Sequence, residues 1–132
     1  MTYNLYCIDL LQEVWGESEI IESLKKDSEF RRVYEEGRST ASSYLVLFWL
    51  KKGSDNNRFG FTVSKKVGTA VTRNKIKRRL KEIVRRWLSH LLKPGYDMVI
   101  IARPWVKSLN FYEIKQDLKK LFQEADLFTD RS

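Results

Sequence analysis

The segment AVTRNKIKRRLKEIVRRW, residues 70–87, limits the folds open to this chain more than any other. It carries eight Lys or Arg residues against one acid, Glu82. At 3.6 residues per turn, Ile76, Leu80, Ile83, Val84, Trp87 and, just beyond, Leu91 fall on one arc. The bases take the remainder, with Lys77, Arg78, Lys81 and Arg85 on one flank and Lys75, Arg79 and Arg86 on the other. Like charges one turn apart repel, so this helix does not support itself. Its apolar arc has to lie on a core, and its charges have to meet something anionic.

The surface for that arc is predicted from the flanking strand-formers. YLVLFWL (44–50) and RFGFTVS (58–64) read as strands joined across the turn cluster KKGSDNN (51–57), and so as a hairpin. YDMVIIA (96–102) follows the KPGYD turn, is apolar on both faces, and ends at Pro104. A first helix is expected from a cap at Asp27 or Ser28, with Phe30, Val33 and Tyr34 on one face and Gly37 as a left-handed C-terminal cap. Thr72 is expected to cap the basic helix. A last helix opens on a capping box of Asn110 and Glu113, with Ile114, Leu118, Leu121 and Phe122 as its stripe. The order is helix, strand, strand, helix, strand, helix, with a further short strand near 38–41. That is a small two-layer α+β sandwich with a mixed sheet of about four strands and three main helices.

Charge is a patch on an otherwise balanced body. Residues 58–86 hold eleven Lys or Arg and one acid, out of a net +8 for the whole chain of 132 residues. Residues 1–22 reverse the sign, with Asp9, Glu13, Glu17, Glu19, Glu22 and no base. We read 1–22 as a loosely attached acidic extension, with Leu5, Ile8, Leu11 and Trp15 along one side of a short helix ended by Gly16, and 23–132 as a single domain. A concentrated cationic face points to a polyanion. An anionic membrane would want the apolar arc facing lipid, but that arc is committed to the sheet, so nucleic acid is favoured. No run approaches the roughly 20 apolar residues of a membrane helix. The N-terminus lacks the basic start of a secretory signal, and a lone cysteine, Cys7, suits the cytoplasm.

Groups for protein-based catalysis are scarce. There is one His, His90, and one Cys, Cys7, with no CxxC, HxxxH or acidic cluster, so neither a metal site nor a catalytic residue is expected. VGTA (67–70) has no GK[ST] and is not a phosphate loop. Aromatics are the second clue. Phe59 and Phe61 alternate with Gly60 and Thr62 as core residues do, whereas Phe30 and Tyr34 divide evenly between core and a stacking surface beside the cations.

The stretch FGFTVSKKVGTAVTRNKIKRRLKE (59–82) closely resembles the signature of the bacterial ribonuclease P protein component. A strand ends in Ser64, Lys65 and Lys66, a loop follows with Gly68, Ala70 and Val71, and then come Arg73, Asn74, Lys75, Ile76, Lys77, Arg78 and Lys81. LKKDSEFRRVYEEGR (24–38) is similar to that family's first helix and YDMVIIARP (96–104) to its last strand, so the likeness covers about 24–128. It implies an α+β fold whose basic helix lies in an unusual left-handed βαβ crossover. It implies a monomer that joins one catalytic RNA, contacts the 5′ leader of precursor tRNA, and assists removal of that leader by the RNA with Mg²⁺. By position, Arg73, Asn74, Lys75, Lys77, Arg78 and Lys81 are expected to contact the RNA subunit, and Phe30, Tyr34, Phe48, Lys65, Lys66 and Arg103 the leader or tRNA. Lys75 stands where that pattern has Arg, which replaces a bidentate fork by a point charge. The alternative is a structural RNA-binding protein of ribosomal or assembly type with no part in cleavage. The resemblance does not reach residues 1–22, whose acids could tune RNA affinity or do nothing.

Overall fold

A computed structural model describes residues 21–129. Five strands form one sheet in the order β1-β4-β5-β3-β2: β1 (Glu22–Ser23), β2 (Arg38–Ala41), β3 (Leu45–Lys51), β4 (Arg58–Val63) and β5 (Tyr96–Ala102). Three helices accompany it: α1 (Asp27–Glu36), α2 (Ala70–Ile83) and α3 (Phe111–Glu124). The α+β class and the short strand at 38–41 are as expected. The fifth strand is β1, which pairs in parallel with β4 from Glu22 opposite Arg58. Glu22 therefore belongs to the sheet, and the boundary placed after it falls inside a strand. The remaining features expected of the extension, including Cys7 and Trp15, lie outside the described residues.

The expected hairpin of β3 with β4 does not form. β5 lies between them, antiparallel to β3 and parallel to β4. The reason is composition. Met98, Val99 and Ile100 are all fully buried, and a strand apolar on both faces is most stable with a neighbour on each side. β3 pairs instead with β2, across a turn where the Ser42 hydroxyl accepts the N–H groups of Tyr44 and Leu45 at 3.1 Å and donates to Asp117 at 2.6 Å.

Alternation along the strands divides the core, and the layers number three rather than two. Leu45, Leu47, Phe59, Met98 and Ile100 face α2 and α3, meeting Leu80, Ile83, Leu118 and Phe122. Val99 faces the other way with Leu24 and Val33 beneath α1, flanked by half-buried Phe30, Phe48 and Ile101.

Helix ends depart from expectation in three places. α1 is capped by the Glu29 carboxylate, which accepts the N–H groups of Lys25 (2.8 Å) and Lys26 (3.0 Å), and not by Asp27 or Ser28. Gly37 has an extended backbone (φ −89°) rather than a left-handed one. Glycine is required there because a Cβ would lie 2.5 Å from the Trp49 carbonyl oxygen. Thr69, not Thr72, caps α2, accepting the Thr72 N–H at 3.3 Å. The Asn110–Glu113 capping box forms as expected, at 2.8 and 2.9 Å. Beyond α2 the chain enters a π turn (Val84–Leu88) and a 3-10 turn (Ser89–Leu91). The altered hydrogen-bond period shifts the stripe, so Leu88 and Leu92 are buried while Leu91 faces solvent.

One polar network sits in this core. Buried Asp97 accepts two hydrogen bonds from Arg58 (3.0 and 2.8 Å) and an ion pair from Lys52 (3.0 Å). Arg58 also reaches Glu29 at 2.9 Å, tying the first turn of α1 to β4 and β5. Burial pushes the Asp97 carboxyl up, but Arg58 and Lys52 outweigh it and hold it below its usual value. The N–H groups of Lys26 and Lys25, aided by Arg58, lower Glu29 to about 2. Depressed carboxylates stabilise the fold above their unfolded values near 4, and that contribution is lost as pH falls through the folded ones. Stability measured by urea unfolding is expected to drop between about pH 4 and pH 2. Asp97→Asn should cost about 1.5–3 kcal/mol at pH 7, the scale of charged hydrogen bonds, and flatten that acid slope. An unchanged slope would remove Asp97 from the network's role.

Candidate nucleic-acid interface

Parallel pairing of β4 with β5 builds the site. Parallel neighbours need a crossover, and here the crossover carries α2. It also places the C-terminal ends of β4 and β5 side by side, where the Ser64 N–H donates to the Ala102 carbonyl at 3.0 Å. Lys65 and Lys66, in the 3-10 turn Lys65–Val67, thus come to the same corner of the sheet as Arg103, and all three are exposed. Arg103 is anchored at that corner by donating to the Ser42 carbonyl at 2.9 Å.

Between α1, the free part of the β4 edge and α2 runs an open groove of about 510 Å³. Phe30, Tyr34, Phe61 and Thr62 line it, with Asp27, Arg31 and Lys77 at its rim. Phe30 is held from below, since a Cβ on Gly60 would come within 2.4 Å of its ring. Tyr34 is 38% exposed, and its ring meets Phe48 edge-on at 5.0 Å. Partial burial raises the Tyr34 phenol above its ordinary value, so it stays a neutral hydroxyl at physiological pH. Phe48 thus supports Tyr34 and does not itself line the groove. Phe59 is core, as its alternation suggested, while Phe61 is shared between core and groove.

Along the outer side of α2, Asn74, Lys75, Lys77, Arg78 and Lys81 are exposed. Arg73 is half-buried and donates to the Gly68 carbonyl at 2.9 Å, so it also fixes the loop entering the helix. Not every base of the patch faces outward. Arg58 is held by Asp97 and Glu29. Arg85 pairs with buried Glu82, the one acid of the segment. Arg79 is half-buried, and desolvation lowers its pKa. Arg86 lies over the Trp87 ring at 5.1 Å.

Apart from Phe48, which packs behind Tyr34, the predicted residues therefore sort into three places: the outer α2 face, the groove, and the Lys65–Lys66–Arg103 corner. Lys77 is the exception, because it stands at the groove as well as on the cationic helix. Sequence reading missed Arg31 and Asp27 as groove residues. Positions 27, 30, 31 and 34 share one helical face, and a search for apolar periodicity passes over its charged members. Among the described residues, no three His, Cys, Asp or Glu side chains come together in a metal-binding arrangement. Nor is any helix there long and apolar enough to cross a membrane.

The chain is similar to known proteins over most of its length. The family model described as Ribonuclease P matches residues 21–126. The ribonuclease P protein component of Clostridioides difficile is 48% identical over 104 residues, covering 79% of this chain and 91% of that protein. The RNase P protein structure from Staphylococcus aureus superposes with a TM-score of 0.74 at 32% identity, covering 83% of this chain and all of that one. That from Thermotoga maritima gives 0.70 at 32% identity, covering 78% and 96%. The chain belongs to the ribonuclease P protein component family and is a protein subunit of ribonuclease P, not the unrelated structural module that its charge alone would have allowed.

Proposed function

We propose that this chain joins the RNA of ribonuclease P through the outer face of α2, as one protein per RNA, and receives the single-stranded 5′ leader of precursor tRNA in the groove. The reaction is removal of that leader to give the mature 5′ end. The RNA, with divalent metal, carries out the hydrolysis, and this chain contributes binding and charge. It acts in the cytoplasm.

The observation that carries this reading is the separation of two surfaces. Asn74, Lys75, Arg78 and Lys81 stand exposed along one side of a helix. Phe30 and Tyr34 instead form an aromatic floor with Lys77 and Arg31 at its rim. Cations along a helix suit the phosphates of a structured RNA, and binding there releases counterions. Aromatic faces beside cations suit unpaired bases, which stack without sequence readout. The corner residues Lys65, Lys66 and Arg103 extend the cationic track where leader and tRNA must both approach, so less Mg²⁺ is needed to screen two RNAs from each other.

The decisive experiment is precursor-tRNA cleavage at a Mg²⁺ concentration too low for the RNA alone. It compares a bacterial ribonuclease P RNA with this protein, each component alone, and both together. Cleavage at the mature 5′ end only with both present is the expected result. Activity of the protein alone would overturn the assignment of chemistry to the RNA.

Two variants separate the surfaces. Phe30→Ala is expected to weaken precursor binding by about 1–3 kcal/mol, the scale of one lost base–aromatic stack, with mature tRNA unaffected. Equal loss for both substrates would make Phe30 a core residue only. Lys75→Ala should weaken binding of the RNA subunit and reduce the salt slope by about 1. It is a cleaner test than Arg73, whose loss would also free the Gly68 loop. Lys77→Ala should lower precursor affinity more than affinity for the RNA subunit, in keeping with its place at the groove. The reverse order would return Lys77 to the helix-face set.

A further inference from the structure

Trp105 is the most exposed large hydrophobic side chain among the described residues, at 71%. The other described tryptophans are partly covered. Trp49 packs against the main core, and Trp87 lies edge-on to Phe111 with Arg86 and Lys115 over its face. The Trp105 indole makes no ring or cation contact among the described residues. Its backbone, by contrast, is firmly fixed. It sits in the 3-10 turn Pro104–Ser108, opened by proline and anchored by fully buried Val106. The Val106 N–H donates to the Arg103 carbonyl and the Ser108 hydroxyl to the Trp105 carbonyl, at 3.0 and 2.8 Å. This turn packs against the Lys65–Val67 turn. Arg103 precedes Trp105 by two residues and Lys107 follows it by two, so a solvent-facing indole rises from a fixed turn that carries two cations and packs against the turn carrying Lys65 and Lys66.

We infer that Trp105 is a stacking platform for an unpaired nucleobase of RNA bound at the Lys65–Lys66–Arg103 corner. The inference rests on the RNA-binding reading above and adds a contact to it. Neutral, planar and displayed on a fixed turn, the indole offers a face that any base can cover, while the surrounding cations meet the flanking phosphates. A base stacked there would also hide apolar surface that nothing among the described residues hides. The nucleotide could come from precursor tRNA or from the enzyme's RNA, and the two sources are separable by experiment.

The test uses the holoenzyme reconstituted from this protein and a bacterial ribonuclease P RNA, with Trp105→Ala and Trp105→Phe. Affinities for the RNA subunit, for precursor tRNAs of graded leader length, and for mature tRNA are measured against salt. Trp105→Ala is expected to weaken binding of one of these RNAs by about 5- to 100-fold, with an unchanged salt slope because no charge is lost. Phe should recover most of the loss. A loss that disappears with short leaders assigns the base to the leader, one shared with mature tRNA to the tRNA body, and one seen with the RNA subunit to the enzyme's RNA. Wild-type affinity of Trp105→Ala for every RNA, at an unchanged melting temperature, would overturn the inference while leaving the function intact. Equal losses for Ala and Phe would overturn stacking as the cause. Failure of the wild-type protein to bind any of the RNAs would overturn both readings together.

Discussion

The parallel register of β4 against β5, from Arg58 opposite Asp97 to Val63 opposite Ala102, is the constraint on which the rest of the molecule depends. Parallel strands cannot be joined by a tight turn, so the chain between them must travel the length of the sheet. α2 is that traveller. Its apolar arc is spent on the sheet, which leaves its charges outward without any need for the helix to be stable alone. The same pairing ends both strands at one corner, and that is why Lys65 and Arg103, 38 positions apart in the sequence, become neighbours. Among the described residues it also leaves the far part of the β4 edge without a strand partner, since β1 pairs only opposite Arg58 and Phe59. Groove, corner and cationic face therefore follow from one strand pairing.

Charge is divided by the fold more finely than by the sequence. Among the bases of 58–86, Arg58 closes the Asp97–Glu29 network and Arg85 neutralises Glu82. Leaving Asp97 without those partners would place an unpaired charge in the core, so Arg58 is as much a structural element as Leu47. The cations that remain outward cluster on the α2 flank, the groove rim and the corner. An RNA meets a smaller and better-ordered set of charges than the composition suggests.

Local signals were legible where local physics decides. The Asn110–Glu113 box, the Ile76–Leu80–Ile83 arc and the individual strands are fixed by residues within a turn or two of one another. The cationic face was likewise readable, whereas Phe30 and Tyr34 stood divided between core and stacking surface, and Lys65, Lys66 and Arg103 were named only through the family resemblance. Illegible were features set by residues distant in sequence. The insertion of β5 between β3 and β4 depends on which strand needs two neighbours, and sequential strands with a turn between them look like a hairpin until that competition is weighed. The π turn at Val84–Leu88 left no period in the sequence, so Leu88 and Leu91 exchanged places. Gly37 and Gly60 looked like ordinary helix and strand punctuation, although both are glycine because another part of the chain comes too close for a Cβ.

Gly60 also resolves whether Phe30 belongs to the core or to the groove. Its ring lies directly on the β4 backbone, at a distance that no larger residue at position 60 would permit, and its exposed side lines the groove. One face is immobilised by packing and the other is free. An aromatic side chain held in this way has already lost its rotamer freedom on folding, so a base that stacks on it does not have to supply that ordering again. Tyr34, braced edge-on by Phe48, is prepared in the same manner. Core and groove floor are then two sides of the same rings, and the small hydrophobic cluster beneath α1 supports the groove floor as well as the helix.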